Sequence, residues 1–198
     1  MVKPTEDLVA LALATSGQLY RQQCCIPNIS WGLYPGHECD FISFTPGGVV
    51  TEYEIKTSWR DWRDDPKKDR WIHVDRNGIG HKRQMPGTIG YFYYVVPKQI
   101  YDEHVTEFES PLAEAGYVVY EEVRGKLQFR YLRRARKILG SRVLTPDEKY
   151  RFARLGVIRY WTRLRELHIK IKYYEEAVNG QAPGLQYQHT EHAGELPD

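Results

Sequence analysis

The amino-acid sequence predicts an α/β fold that ends in a long helix. Three observations carry that expectation. Two strand-like runs flank the turn-forming Pro46-Gly47-Gly48, and residues 89–96 form a nearly continuous apolar run. Helical periodicity marks residues 5–16 and the stretch after Thr145.

Each element follows from local chemistry. Thr5-Glu6-Asp7 followed by Leu8, Val9, Leu11 and Leu13 reads as an N-capped helix, and Gly17 is a natural stop for it. Residues 19–26 suggest a short strand, followed by a Pro/Gly-containing loop through Gly36. Residues 38–45 and 49–57 then read as a hairpin closed by Pro46-Gly47-Gly48. Residues 58–68 are polar and interrupted by tryptophan, consistent with a short helix or structured loop. The run 89–96 suits a strand covered on both faces. Residues 101–115 are expected to be helical, and 117–122 and 127–132 to be strands joined at Arg124-Gly125. Thr145-Pro146-Asp147-Glu148 combines a capping box with proline at the first helical position. It opens a helix that Asn179-Gly180 ends. The expected organisation is a core at 1–140, a helical extension at 141–179 and a disordered tail at 180–198.

Composition excludes several classes. With 41% hydrophobic and 27% charged residues, the chain matches an ordinary globular domain long enough for a real core. It has no long uncharged apolar run and no secretory signal at its start, so no membrane partner is expected. Three cysteines without a CxxC pair predict reduced thiols rather than a disulfide framework or a zinc knuckle. The seven histidines lack HxxxH or HxH spacing, and no phosphate-binding or dinucleotide glycine motif occurs. His37 and His73 read as ordinary polar residues. Net charge is only +2, but Arg130, Arg133, Arg134, Arg136, Lys137 and Arg142 cluster, as on a phosphate-binding face or a solvated surface.

The hairpin carries the chemistry. If Thr45 faces Val49, paired positions sum to a constant and Asp40 falls across from Glu54, with Cβ atoms about 4.5–5.5 Å apart. Two facing carboxylates repel, and a hard divalent cation between them removes that penalty. Glu54 and Lys56 lie two apart on one strand and therefore share a face, while Ile55 points into the opposite layer. A lysine there can orient or deprotonate a water and neutralise charge developing on a phosphate.

Asp40, the turn and Glu54-Ile55-Lys56 resemble the D…(D/E)-x-K signature of the PD-(D/E)XK, or restriction-endonuclease-like, nuclease superfamily. The resemblance covers roughly residues 5–135. Lys56-Thr57-Ser58, Asp61, Asp64 and Lys67-Lys68 are also similar to small bacterial and phage members, the MmcB-like DNA-repair proteins among them. Cys39 stands where the superfamily's name has proline. The resemblance implies a restriction-endonuclease-like core with a central mixed sheet flanked by helices. It implies Mg²⁺ dependence, with Mn²⁺ as a substitute, and DNA as partner. Asp40 and Glu54 would be metal ligands and Lys56 catalytic. Many members, Holliday-junction resolvases included, also place a glutamate on the first helix near the metals, and Glu6 is the matching position.

Further candidates are weaker. Ser58, Lys67, Lys68, His81 and Lys82 are candidate substrate contacts, with Arg83 beside them and Gly78-Ile79-Gly80 as a mobile loop; Ser58 suits a helix cap equally well. Glu52 shares the face of Glu54 and reads as a solvated strand residue more readily than as an extra ligand. Trp59, Trp62 and Trp71 suit core packing better than base stacking. The C-terminal helix reads as packing against the core or a second subunit. The expected function is a Mg²⁺-dependent DNA endonuclease of repair, recombination or phage DNA processing, in the cytoplasm of a bacterial or phage-infected cell and associated with the nucleoid. A homodimer is consistent with duplex cleavage, which needs two cuts. The alternative is a non-catalytic DNA-binding module that keeps the nuclease fold within a larger complex.

Overall fold

A computed structural model of the chain describes residues 4–16, 19, 24–29, 39–68, 71–74, 80–82 and 87–178. Helix α1 (Glu6–Thr15) leads into an antiparallel meander of β1 (Cys24–Ile29), β2 (Cys39–Phe44) and β3 (Val50–Ile55). Helix α2 (Trp59–Asp64) continues into a 3-10 turn (Asp65–Lys67), then a small separate hairpin of β4 (Ile72–Val74) and β5 (Gly80–Lys82). Strand β6 (Ile89–Pro97) returns parallel to β3. After α3 (Lys98–His104), strand β7 (Gly116–Val123) runs parallel to β6, and β8 (Lys126–Arg133) closes antiparallel to β7. The result is a six-stranded mixed sheet in the order β1-β2-β3-β6-β7-β8, followed by the long helix α4 (Pro146–Val178).

Strand alternation sends side chains into two layers. On one face, Val9, Ala10 and Leu13 of α1 pack on Phe41, Tyr53, Ile55, Val95, Val118 and Tyr120. On the other, Trp62 and Trp71 pack with Phe92, Tyr94, Val96 and Phe108. The tryptophans are therefore core residues: Trp62 and Trp71 are buried, and Trp59 stacks on His104 with centroids 4.2 Å apart. Truncating a buried tryptophan typically costs about 3–5 kcal/mol. That exceeds what the backbone of a six-residue helix supplies by itself, so Trp62 holds α2 in place.

Caps and turns behave as their residue types require. Thr5 Oγ1 accepts from Leu8 N, and Thr145 and Glu148 exchange side-chain hydrogen bonds with each other's backbone N–H. Arg124 and Gly125 both have positive φ, as a two-residue hairpin turn demands. Gly48 sits at φ +86°, and a Cβ there would lie 2.8 Å from Leu144 O.

Two expectations about element bounds are corrected. The first strand covers Cys24–Ile29 rather than 19–26, and it contains Pro27. Proline lacks a donor, which an edge strand tolerates. Leu19 is instead a buried turn residue after α1. Helix α3 starts at Lys98 and ends at His104, well short of Ala115. Pro111 cannot continue a helix, and Ser110 Oγ accepts from Leu112 N to form a local turn. The first compact unit spans 1–157, and Leu144 and Phe152 close its core around Ile26, Ile42 and Phe44. The second unit is 158–198, of which the described part is the remainder of α4. The expected tail at 180–198 lies outside the described residues, as do His37, Gly78, Ile79 and Arg83. No described helix is long and apolar enough to cross a membrane.

Candidate active site

The turn at Pro46-Gly47-Gly48 sets the register of β2 on β3. Gly48 N donates to Thr45 O at 2.8 Å and Thr45 N to Val49 O at 3.0 Å. Phe44 then faces Val50, Ile42 faces Glu52 and Phe41 faces Tyr53. One step further along the same register, Asp40 comes to the end of β3, where its Oδ2 accepts from Ile55 N at 2.8 Å. Glu54 and Lys56 project from the face opposite Ile55, which is packed against α1.

Lys56 is the hub. Its side chain is 1% exposed, and Nζ lies 2.6 Å from Glu54 Oε1, 3.0 Å from Asp65 Oδ1 and 3.6 Å from Asp61 Oδ2. Lys68 adds a second ammonium 3.5 Å from each of Glu54, Asp61 and Asp65. Asp65 is fully buried. Its Oδ2 accepts from Trp71 Nε1 at 2.9 Å and from Tyr94 OH at 2.7 Å, which fixes the carboxylate from behind. Its Oδ1 makes no hydrogen bond and faces the Lys56 ammonium, so ion-pair attraction alone compensates that oxygen.

The electrostatics follow from this crowding. Burial first, and then the Glu54 charge, push Asp40 up to about 8 from an ordinary value of 3.8, against the pull of Lys56 and the Ile55 N–H. Burial, Asp61 and Glu54 likewise raise Glu6, at the start of α1. Burial by itself would lower Lys56, but Glu54 and Asp65 outweigh it and hold the ammonium protonated. Of the two roles expected for Lys56, orienting and neutralising charge suits this state, whereas abstracting a proton does not.

The expected residues separate into those brought together and those kept apart. Asp40, Glu54, Lys56 and Lys68 converge, and Glu6 is close enough to exchange electrostatic influence with Asp40, Glu54 and Lys56. Ser58 caps α2, its Oγ accepting from Asp61 N at 3.2 Å. Lys67 points outward, 73% exposed, and pairs with Asp64 at 2.9 Å. His81 and Lys82 lie on β5, and His73 on β4, with side chains outside the described residues. Glu52 is buried, which corrects the solvated reading, because β3 is covered on both faces. The basic cluster is partly structural: Arg133 binds Ala115 O and stacks on Tyr117, and Arg142 forks onto Glu148 at 2.6 and 2.7 Å. All three cysteines are free thiols.

Asp65 is the site residue that sequence reasoning missed. Nothing in its spacing from Lys56 places it under that side chain; the α2 fold-back does, driven by burial of Trp62 and Trp71. Asp65→Asn is expected to destabilise the protein by about 2–4 kcal/mol, since an amide cannot compensate the buried Lys56 charge. Chemical denaturation checks this, and a loss below about 0.5 kcal/mol would contradict the assigned geometry.

Among the described residues, no three carboxylate, imidazole or thiolate groups converge as a ready set of metal ligands. Glu54 and Asp65 turn instead to the lysine ammonium groups. The donor set is nonetheless hard oxygen. Asp40, Glu54, Asp61, Asp65 and Glu6 outnumber Lys56 and Lys68, a carboxylate excess that suits a divalent cation such as Mg²⁺.

No family model and no curated protein matches the chain. Among solved structures it is similar to SPO1766, a protein of unknown function from Silicibacter pomeroyi, with a TM-score of 0.49 and 15% identity over 80% of this chain and 88% of the other.

Proposed function

We propose that the chain is a Mg²⁺-dependent DNA endonuclease built on a restriction-endonuclease-like core. One observation carries the reading: a buried lysine is held protonated beside a carboxylate on the same strand face, next to a second carboxylate whose ionisation its surroundings resist. Asp40 and Glu54 would hold the cation, with Glu6 as a further oxygen donor, and Mn²⁺ would fit the same ligands. When bound, the cation supplies Lewis-acid polarisation of a phosphodiester and a more acidic water. The protein's own residues do the rest. Asp65 fixes Lys56, whose ammonium faces the negative charge that grows on the phosphate. Lys68, half exposed at the rim, meets the DNA backbone. Glu54 would meet the cation through Oε2, because Oε1 lies 2.6 Å from Lys56 Nζ and 3.5 Å from Lys68 Nζ.

The engagement of Glu54 Oε1 by both lysines favours a second reading, a non-catalytic DNA-binding module of a larger complex. One experiment separates them. Purified protein is incubated with single-stranded, duplex and branched DNA in Mg²⁺, Mn²⁺ or EDTA, beside Asp40→Ala and Glu54→Gln. The nuclease reading expects cleavage that EDTA stops and that either substitution lowers on the order of a hundredfold or more. Metal-independent cleavage, or variants as active as the parent, would sink it. DNA retained without cleavage selects the binding module.

A further inference from the structure

The periodicity of α4 identifies a docking surface outside the candidate active site. With Val157 at heptad position a, the a positions are Tyr150, Val157, Leu164, Ile171 and Val178. The d positions are Ala153, Tyr160, Leu167 and Tyr174. All of them are apolar or aromatic, alternating at spacings of three and four over four heptads, which is the pattern of a coiled-coil seam. Nothing in the described chain covers it: from residue 157 on, the a and d side chains are between 42% exposed at Leu164 and 85% at Val178.

Within the first unit, Phe152 at c and Leu155 at f pack on the core and Gly156 at g lies against Ile26, whereas Tyr150 at a is 70% exposed. Residues 157–178 extend the seam for about 33 Å at the helical rise, enough for three heptads of knobs and holes.

We propose that this seam pairs with the same seam of a second copy of the chain, as a parallel two-stranded coiled coil. Self-complementarity argues for a copy, since a continuous a/d stripe is its own best partner. Val157, Ile171 and Val178 place β-branched side chains at a, with Leu167 at d, a choice that favours two strands. Charge fixes the direction. In a parallel pair, position g meets the following e of the partner, so Lys170 meets Glu175, twice by symmetry. An antiparallel pair would instead bring together the g positions, Arg163 and Lys170, which repel. A bilayer surface fits less well, because Glu175 and Glu176 follow the basic residues on the last turns. The proposal does not depend on the nuclease reading.

Sedimentation of the full chain at micromolar concentration tests it, with an expected mass of twice the 23.3 kDa of one chain. Leu164→Lys with Ile171→Lys should be monomeric with unchanged near-ultraviolet circular dichroism. Should that variant fail to fold, the charged pair decides. Lys170→Glu should weaken dimerisation by on the order of tenfold, and adding Glu175→Lys should restore it. Under oxidation Tyr174→Cys should cross-link to itself above the level of the parent, which carries the native thiols. Three results would overturn the proposal: a monomer throughout, a dimer indifferent to all these changes, or Tyr174→Cys chains that cross-link only with Tyr160→Cys chains. A monomer that binds phosphatidylserine vesicles through this helix would replace it with a membrane role.

Discussion

Replacing Lys56 with methionine is expected to lower stability by about 3–5 kcal/mol at neutral pH and to abolish any cleavage. Methionine keeps the stem and volume but not the charge. Glu54 and Asp65 are then left buried, with Lys68 as their remaining ammonium partner at 3.5 Å. The sign of the pH dependence follows. Because its carboxylates raise the folded-state value of Lys56, the cation's contribution is complete through the neutral range and disappears only in strong alkali. In the variant, by contrast, uncompensated carboxylates resist ionisation. Its deficit should therefore shrink as pH falls and the acids take up protons. Urea denaturation at several pH values measures this. A deficit that is small at neutral pH, or constant with pH, would show that Lys56 is not the charge holding the cluster together. Lys56→Arg offers a contrast: it keeps the charge, but its planar fork cannot reproduce contacts made by a single ammonium. It should recover stability before activity.

How much of this was legible in the sequence depends on whether the cause is local. The turn at Pro46-Gly47-Gly48 fixes its own geometry, so the register that aligns Asp40 with the end of β3 could be read from residue types alone. The same holds for Arg124-Gly125 and for the reciprocal cap of Thr145 and Glu148. The position of Asp65 was not legible because its cause is tertiary: Trp62 and Trp71 must first find Phe92 and Tyr94 across the sheet. Glu52 was misread for a related reason. A strand with polar residues on one face suggests solvent, but β3 lies between β2 and β6 inside the sheet and all six of its residues are buried. The first strand was misplaced because the pairing of 24–29 with β2, rather than any propensity of Pro27 or Asn28, makes it a strand. The short α3 shows the reverse, a local signal at Ser110-Pro111 that outweighs a run of helix-compatible residues before it.

Asp40→Asn is expected to make the protein more stable and less active at once. The folded chain holds the Asp40 carboxyl near 8, far above its ordinary 3.8. The unfolded chain therefore gives up this proton first, and native stability falls as pH rises from about 4 toward 8, then levels off. Asparagine removes that dependence while its side-chain oxygen still accepts from Ile55 N. Water and the neighbouring Lys56 soften the full linkage, so a gain of about 1–2 kcal/mol at pH 8, or roughly 2–8 °C in Tm, is the expected size. At pH 4 the two proteins should melt together. Divalent cation reverses the order. A cation that binds the ionised Asp40 favours its deprotonated form, so Mg²⁺ should raise the melting temperature of the parent, more strongly as pH approaches 8, and do little for the variant. Thermal melts of both proteins at pH 4 and pH 8, with and without Mg²⁺, measure these differences. If asparagine destabilises the protein at pH 8, the penalty assigned to ionised Asp40 is absent; if it stabilises but Mg²⁺ acts equally on both proteins, the cation binds elsewhere. Burial and the Glu54 charge would then resist ionisation of Asp40 with no ligand to relieve them, and the binding-module reading would be the one left standing.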